Sequence, residues 1–449
     1  MRAGFDTLKR DLHYALVLPV QAYPLGHQRF AVESAFADHL RLMLKMHRPR
    51  FSRITLAGPV MSNATYQERS AYLAEVDSSR ESIHFVGTYE AGTSDATFLR
   101  GLPKTTRTLR SLVREADLVQ TGMNQDLKRP VEFRAAMLAS RLGKKTISVT
   151  DIDNRESARM FHTSGKWSRR AYLANRFVYD PIRAWQQRQV VDKCSLVLLK
   201  GQQLVDDYGR GAKHVKFFQN TAYTADQVIA EEDLARRCED AARSTAPLKL
   251  THFGRLEFYK GMHHAIEALA LTGGAEGSPP LAQLTLIGMG SEESSLRQLA
   301  SRLGVSDAVE FCPPMSYGDA FLSRVRAQDM LIAPSLAPDT PRSAWDAIAS
   351  GVPILAYDTT YYSELRDKTG CVHTVPWGDV RALADAIRFF AKDRKRVVQM
   401  KRGSRVPALE NVQERWIARR VEWTEALFAD ESRAVSDVDR YRVVKGSST

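Results

Sequence analysis

Cysteine is scarce in this chain. The four present, Cys194, Cys238, Cys312 and Cys371, are scattered through 449 residues with no CxxC spacing, which excludes a disulfide framework and offers no zinc pattern. They read as small buried hydrophobes. No apolar run approaches the roughly 18 residues that cross a bilayer, so no membrane-spanning helix is expected. The opening residues, MRAGFDTLKRDLHY, lack the apolar core of a secretion signal and predict a cytoplasmic protein. Internal repeats and low-complexity tracts are missing as well. With 44% hydrophobic and 26% charged residues, wholesale disorder is excluded, and the length suits two or three cores.

Positive charge is what the chain has in excess. Lys and Arg number 64 against 52 Asp and Glu, a net +12, which draws phosphate-rich partners without choosing among nucleotides, nucleic acid and anionic lipid. Much of the excess is early. Residues Arg100 to Lys145 hold eleven basic and four acidic side chains, and Lys166 to Lys193 hold seven and two.

The order of elements is α/β. Tyr14 to Val20, Phe51 to Gly58, Ser82 to Val86, Asp117 to Thr121, Lys145 to Thr150 and Ser195 to Leu199 read as strands. Between them lie helical patterns at Phe30 to Met46, Leu109 to Arg114 and Val131 to Leu142, after a turn at Pro24-Leu25-Gly26. Val215 to Gln219 adds a short strand, and the polar, acidic stretch that follows marks a hinge at 224–246. A second series has strands at Leu248 to Phe253, Leu284 to Ile287, Val309 to Phe311, Met330 to Ala333 and Ile354 to Tyr357. Helices are expected at Met262 to Leu271, Glu293 to Leu303, Ala344 to Ala349 and Val380 to Ala391. Alternation of this kind builds parallel sheets. The reading is two Rossmann-like doubly wound domains, 1–223 and 247–408, with an amphipathic helix over Glu410 to Ala429 completing the first and a loose tail at 430–449.

One stretch concentrates the chemistry. In LKLTHFGRLEFYKG, Leu248 to Gly261, a buried strand breaks at Gly254 and presents Arg255 and Lys260 just beyond its carboxyl end. Ligands of open α/β sheets collect there, and two cations so placed suit a phosphate or diphosphate. A basic solvated loop is the alternative. Further on come Leu286-Ile287-Gly288-Met289-Gly290, Val309-Glu310-Phe311, Ala333-Pro334-Ser335 and Asp346-Ala347-Ile348-Ala349-Ser350-Gly351-Val352-Pro353-Ile354. In this order and spacing, roughly Lys249 to Phe390 resembles the nucleotide-sugar-binding half of retaining GT-B glycosyltransferases, glycosyltransferase family 4 (glycosyl transferases group 1) in particular.

The resemblance implies a GT-B fold, two Rossmann-like domains facing across a cleft that closes on substrate. It implies transfer of a sugar from a nucleotide diphosphate-sugar to a saccharide or lipid-linked hydroxyl acceptor, with retained configuration, no cofactor and no essential metal. Arg255 and Lys260 match the family's diphosphate-binding pair, and fixed cations do stabilise a departing diphosphate. Gly254 and Gly288 form turns beside them. Asp346 falls where the family has the second glutamate of its E-x7-E signature, on the ribose hydroxyls, one methylene shorter. The first glutamate is replaced by Pro338, with Asp339 one position late. Asp339 is then either a sugar-hydroxyl ligand or, with Thr340, an N-cap for the helix beginning at Pro341, whose free amides face a sugar-phosphate. Arg342 adds a third cation. Glu364, another position often glutamate in the family, reads as a cap.

The first half shares architecture only. Gly26 stands where the family often has a glycine pair that admits the reacting sugar, followed by His27, a donor or acceptor contact or plain surface polarity. Asp151 and Asp153 follow the strand Lys145 to Thr150, where the family often has a histidine. A carboxylate there can orient or deprotonate an acceptor hydroxyl or simply cap a helix. The triplet also resembles the metal-binding DxD of GT-A transferases, discounted because the surrounding chain is two tandem α/β domains.

Trp167, Ala171, Ala174 and Phe177 or Val178 share a helical face with Arg169, Arg170 and Arg176 around it. That suits an anionic membrane surface and a peripheral location, or a helix packed on its own sheet with its arginines in water. No nucleic-acid motif accompanies it. Other functions consistent with the sequence are a nucleotide-sugar epimerase and a non-catalytic sugar-nucleotide or glycan binder.

Overall fold

The computed structural model describes residues 11–48, 50–123, 126–151, 154–273 and 281–429, the side chains of 154–157 excepted. Asp153 and the tail at 430–449 lie outside the described residues. The chain divides into two compact units. Unit 1 takes in Met1–Asp151, Ile182–Phe218 and the C-terminal residues from Trp416; unit 2 takes in Ile152–Pro181 and Gln219–Arg415.

Among the described residues unit 1 holds ten strands: β1 (Leu12–Val17), β2 (Tyr23–Gly26), β3 (Arg29–Glu33), β4 (Phe51–Val60), β5 (Leu73–Asp77), β6 (Ile83–Glu90), β7 (Leu118–Gly122), β8 (Lys145–Thr150), β9 (Leu196–Lys200) and β10 (Val215–Phe218). Seven make a parallel sheet in the order β10-β9-β8-β7-β1-β4-β6. β1 is buried throughout, as a strand covered on both faces must be, which is why it reads as an unbroken apolar run. The order reverses at β1, whose neighbours are β4 on one side and β7 on the other. The expected turn and helix after β1 are corrected: β2, β3 and β5 form a small antiparallel sheet, and the helix spans only Ser34–His47. Phe30, Ala31 and Val32 are all buried, and this short apolar run merges into the helical periodicity that follows it.

Unit 2 holds β11 (Leu248–Phe253), β12 (Ala282–Ile287), β13 (Val309–Cys312), β14 (Met330–Ala333), β15 (Ile354–Tyr357) and β16 (Val372–Val375). All are parallel, in the order β13-β12-β11-β14-β15-β16. Leu248 and Leu250 of β11 enter one core, with the helices Met262–Leu271 and Val380–Lys392; Phe253 enters another, with the helix Arg342–Ala349. Residues 224–246 contain the helix Glu231–Arg243, whose Leu234, Cys238 and Ala241 pack with Ile229 and Val398. Its two acidic and basic flanks hide that apolar stripe in the sequence. Among the described residues no helix is long and apolar enough to cross a membrane.

The helix Gln413–Ala426 is shorter than expected. Trp416 meets Phe217 of β10 with ring centroids 6.0 Å apart, and beyond the helix Phe428 lies edge-on to Phe51 of β4 at 5.9 Å.

Candidate functional site

The strand order of the unit 2 sheet reverses between β11 and β14, so its switch point lies outside the carboxyl ends of those two strands. The loop after β11 carries Gly254, Arg255, a tight turn at Phe258–Lys260 and Gly261. The loop after β14 carries Pro334, Ser335, Asp339 and Thr340. Gly261 joins the two. Its φ is 71°, and a Cβ there would stand 1.9 Å from the Pro334 carbonyl oxygen, so only glycine lets the loops approach this closely. The Leu336 amide donates to the Tyr259 carbonyl at 2.7 Å, and Trp377 Nε1 donates to the Ser335 carbonyl at 3.1 Å.

That closure brings Lys260 onto Asp339. The ammonium donates to the Asp339 carboxylate in a shielded ion pair, the side chains 11% and 15% exposed. Beneath it lies buried His252, whose Nδ1 is 3.3 Å from the Ile332 carbonyl. Burial first, and then the Lys260 charge, push its imidazole down to about 3. Arg255 is exposed and donates Nη2 to the Tyr259 hydroxyl at 2.9 Å. Lys166, in the 152–181 segment of the same unit, sits 4.6 Å from the centre of the Phe258 ring. It adds a cation beside the turn that sequence reasoning missed.

The neighbouring loop after β12 is held against that of β11. At Gly288, φ 150°, a Cβ would lie 1.9 Å from the Gly254 carbonyl oxygen, and the Leu256 amide donates to the Met289 carbonyl at 2.9 Å. Ser291 donates to Glu257 at 2.9 Å. The Gly288 turn is therefore a strand-to-helix junction supporting the Arg255 loop.

Asp346 lies deeper, on the helix Arg342–Ala349, with Tyr317 donating its hydroxyl to Oδ1 at 2.9 Å. Burial pushes the Asp346 carboxyl up to about 6, against the pull of Arg342 and the Tyr317 phenol. Tyr361 donates to the Pro341 carbonyl at 3.3 Å. The expected capping is corrected. The N-cap of this helix is Pro341, and no side chain caps it; Asp339 is taken by Lys260 instead. The helix Thr360–Thr369 is capped by Thr359, and Glu364 within it pairs with Lys368 at 3.6 Å. Tyr259, Tyr317 and Tyr361 were invisible as site residues, because a tyrosine in a loop or amphipathic turn carries no pattern of its own.

In unit 1, His27 and Gln28 both have positive φ (49° and 62°) and form the exposed tip of the β2–β3 hairpin, with Gly26 (φ 79°) preceding them. Asp151 follows β8, is exposed, and its charge acts on Arg420, another partner the sequence did not indicate. Among the described residues no group of three or more His, Cys, Asp or Glu is placed to hold a metal ion.

Residues 226–406 match the family model of the glycosyl transferases group 1. A glycogen synthase from Mycobacterium tuberculosis is 30% identical over 175 residues, 37% of this chain and 41% of its own. The chain thus aligns with about two fifths of that relative's length. Among solved structures, Anabaena HepE in complex with UDP-glucose covers 92% of this chain and 99% of its own at 18% identity, with a TM-score of 0.60. The sucrose-phosphate synthase of Thermosynechococcus elongatus covers 93% and 100% at 14% identity, with a TM-score of 0.65. At such identities the likeness concerns the fold, two Rossmann-like α/β domains with parallel sheets as in GT-B proteins.

Proposed function

We propose that this chain is a glycosyltransferase that takes its sugar from a nucleotide diphosphate-sugar bound on unit 2. The observation that carries the reading is the pair of cations, Arg255 and Lys260, on the loop after β11 at the switch point, inside the stretch that matches the group 1 family. In the reaction the bond from the anomeric carbon to the diphosphate oxygen breaks, and the nucleoside diphosphate leaves with the electron pair. The acceptor hydroxyl oxygen bonds to that carbon and gives up its proton to a base, for which the Asp151 carboxylate on unit 1 is the candidate. Lys260 and Arg255 hold the charge that builds on the leaving oxygens, which lowers the barrier without requiring a metal or other cofactor. Gly254 and Gly288 shape the turn around it. Arg342 and the N-terminus of its helix suit the same anion, and Asp346 takes the ribose.

Bound diphosphate competes with Asp339 for Lys260. Once displaced, Asp339 is free to accept from a donor-sugar hydroxyl, so the pair is the resting state of the site. Retention of configuration follows the family resemblance. The acceptor is a saccharide or lipid-linked hydroxyl, in polysaccharide or glycolipid assembly, met by the more basic unit 1, with Asp151, Asp153, Gly26 and His27 as the residues to examine there. The location we propose is cytoplasmic. Nucleic acid is not a partner in this reading.

The test is thermal stabilisation by a panel of nucleoside diphosphates and their sugars, starting with UDP and UDP-glucose because HepE is bound to the latter. A ligand at 100 times its dissociation constant adds about 2.7 kcal/mol. A panel in which none shifts the melt sinks the proposal. A second reading, a binder without turnover, is favoured by the engagement of both motif carboxylates, Asp339 by Lys260 and Asp346 by Tyr317; it predicts binding with no product from any acceptor. An epimerase would consume the donor with no acceptor present.

A further inference from the structure

From Arg169 to Lys193 the chain runs as uninterrupted helix, α-helical over Arg169–Ala174 and Asp180–Lys193 with a π-helical turn at Asn175–Tyr179 between them. A helix packed on its own sheet buries its apolar face. Over its first half this one does the reverse. Its buried side chains are polar, Asn175 donating Nδ2 to Asp180 Oδ1 at 2.9 Å, with both residues at most 5% exposed. Its apolar side chains face solvent: Leu173, Phe177, Val178 and Tyr179 are between 39% and 72% exposed.

The π turn spans Asn175–Tyr179 and carries Phe177, Val178 and Tyr179 together. An apolar strip of this kind marks an interaction surface.

Its flanks identify the partner. Arg169, Arg170 and Arg176 are exposed, and the only acidic residue from Ser168 to Pro181 is the buried Asp180. Guanidiniums flanking apolar side chains match lipid phosphates over acyl chains.

We propose that this helical run docks on an anionic phospholipid bilayer, with Leu173, Phe177 and Val178 entering the acyl boundary and the arginines at the lipid phosphates. The inference is independent of the sugar-transfer reading, because it uses none of the residues at the diphosphate site.

The experiment is co-sedimentation of the full chain with vesicles of phosphatidylcholine alone or with about a third phosphatidylglycerol. The chain is expected to bind only the second, and to release as salt shortens the screening length. Arg169→Gln/Arg170→Gln/Arg176→Gln is expected to weaken partition by on the order of 100-fold, about fivefold per arginine. Phe177→Ser/Val178→Ser is expected to weaken it at least about tenfold, with circular dichroism and melting unchanged because both side chains already face water. Equal binding to the two vesicles, no binding to either, or indifference to either variant overturns the proposal. So does a lipid-free dimer that Phe177→Ser/Val178→Ser dissociates, which would give the face to a second copy of the chain.

Discussion

Lys260 and Asp339 belong to loops that follow different strands, and they meet as a shielded ion pair only because Gly261 presses the first loop against the carbonyl of Pro334. The pair makes Lys260→Ala ambiguous by itself. Removing the cation leaves a mostly buried carboxylate without its partner, and breaking a buried pair costs about 3–5 kcal/mol, the lower end applying to side chains that keep some exposure. Lys260→Ala/Asp339→Ala removes the stranded charge and is expected to recover most of that loss in urea unfolding. Turnover is expected to stay absent in both variants. A double variant that regains turnover would reduce the pair to a structural strut.

Gly261→Ala tests the closure. The added Cβ meets a backbone carbonyl at 1.9 Å with φ at 71°, so the loops must part and the residue must sit in a conformation that side chains disfavour. We expect a loss of at least about 2 kcal/mol together with loss of diphosphate-dependent stabilisation. At Gly254, φ 133°, nothing lies within 4 Å of the added Cβ, so Gly254→Ala carries backbone strain alone and is expected to cost less. Equal effects at the two positions would mean that contact between the loops does not matter.

These glycines also show what the sequence discloses. The strand Leu248–Phe253, the helix Met262–Leu271 and the strands at Met330 and Ile354 are legible because buried parallel strands are short apolar runs between punctuating residues. The cations Arg255 and Lys260 are legible for the same reason, since they stand just past a clear strand end. The partner of Lys260 is not. Asp339 lies 79 residues away, and its local surroundings, between Pro338 and Pro341, suggest a helix cap that tertiary closure overrides. β16 (Val372–Val375) escapes notice because four residues at a sheet edge, two of them half-buried His373 and Thr374, carry neither apolar length nor clean alternation. The π turn at Asn175 has no compositional sign at all, and with it goes the side of the helix that faces water.

Stability should carry a pH signature from unit 1. Glu132, in the first turn of the helix Val131–Arg141, is 2% exposed, and its Oε2 has no hydrogen-bond partner. Burial pushes its carboxyl up to about 7, opposed by its own backbone amide and aided by Asp126. Unfolded, it titrates near about 4.3. Between those values the folded state binds more protons than the unfolded one, so this residue's contribution to stability falls as pH rises through that window. Glu132→Gln removes the titration. The difference in unfolding free energy between variant and parent is expected to grow from pH 4.5 to 7 and then level off, the variant being more stable by up to about 3 kcal/mol. A difference that stays flat with pH would show the carboxyl to be ionised at no cost.

Arg255 should separate binding from folding more cleanly than Lys260 does. Its guanidinium is exposed, it donates to the Tyr259 hydroxyl at 2.9 Å, and its Cζ lies 5.9 Å from the centre of that ring. Substitution at such a surface position changes stability by no more than about 0.5 kcal/mol, so the melt of Arg255→Ala is expected to match the parent. A charged hydrogen bond to a diphosphate is worth about 1.5–3 kcal/mol, so affinity for UDP should fall roughly 10- to 150-fold. Tyr259→Phe keeps the cation and removes only the hydroxyl that orients it, and should cost less than tenfold. Calorimetric titration of the three proteins with UDP reads the order directly. If Arg255→Ala bound UDP as tightly as the parent, Lys260 alone would have to hold the leaving group, and the two-cation grip would be wrong.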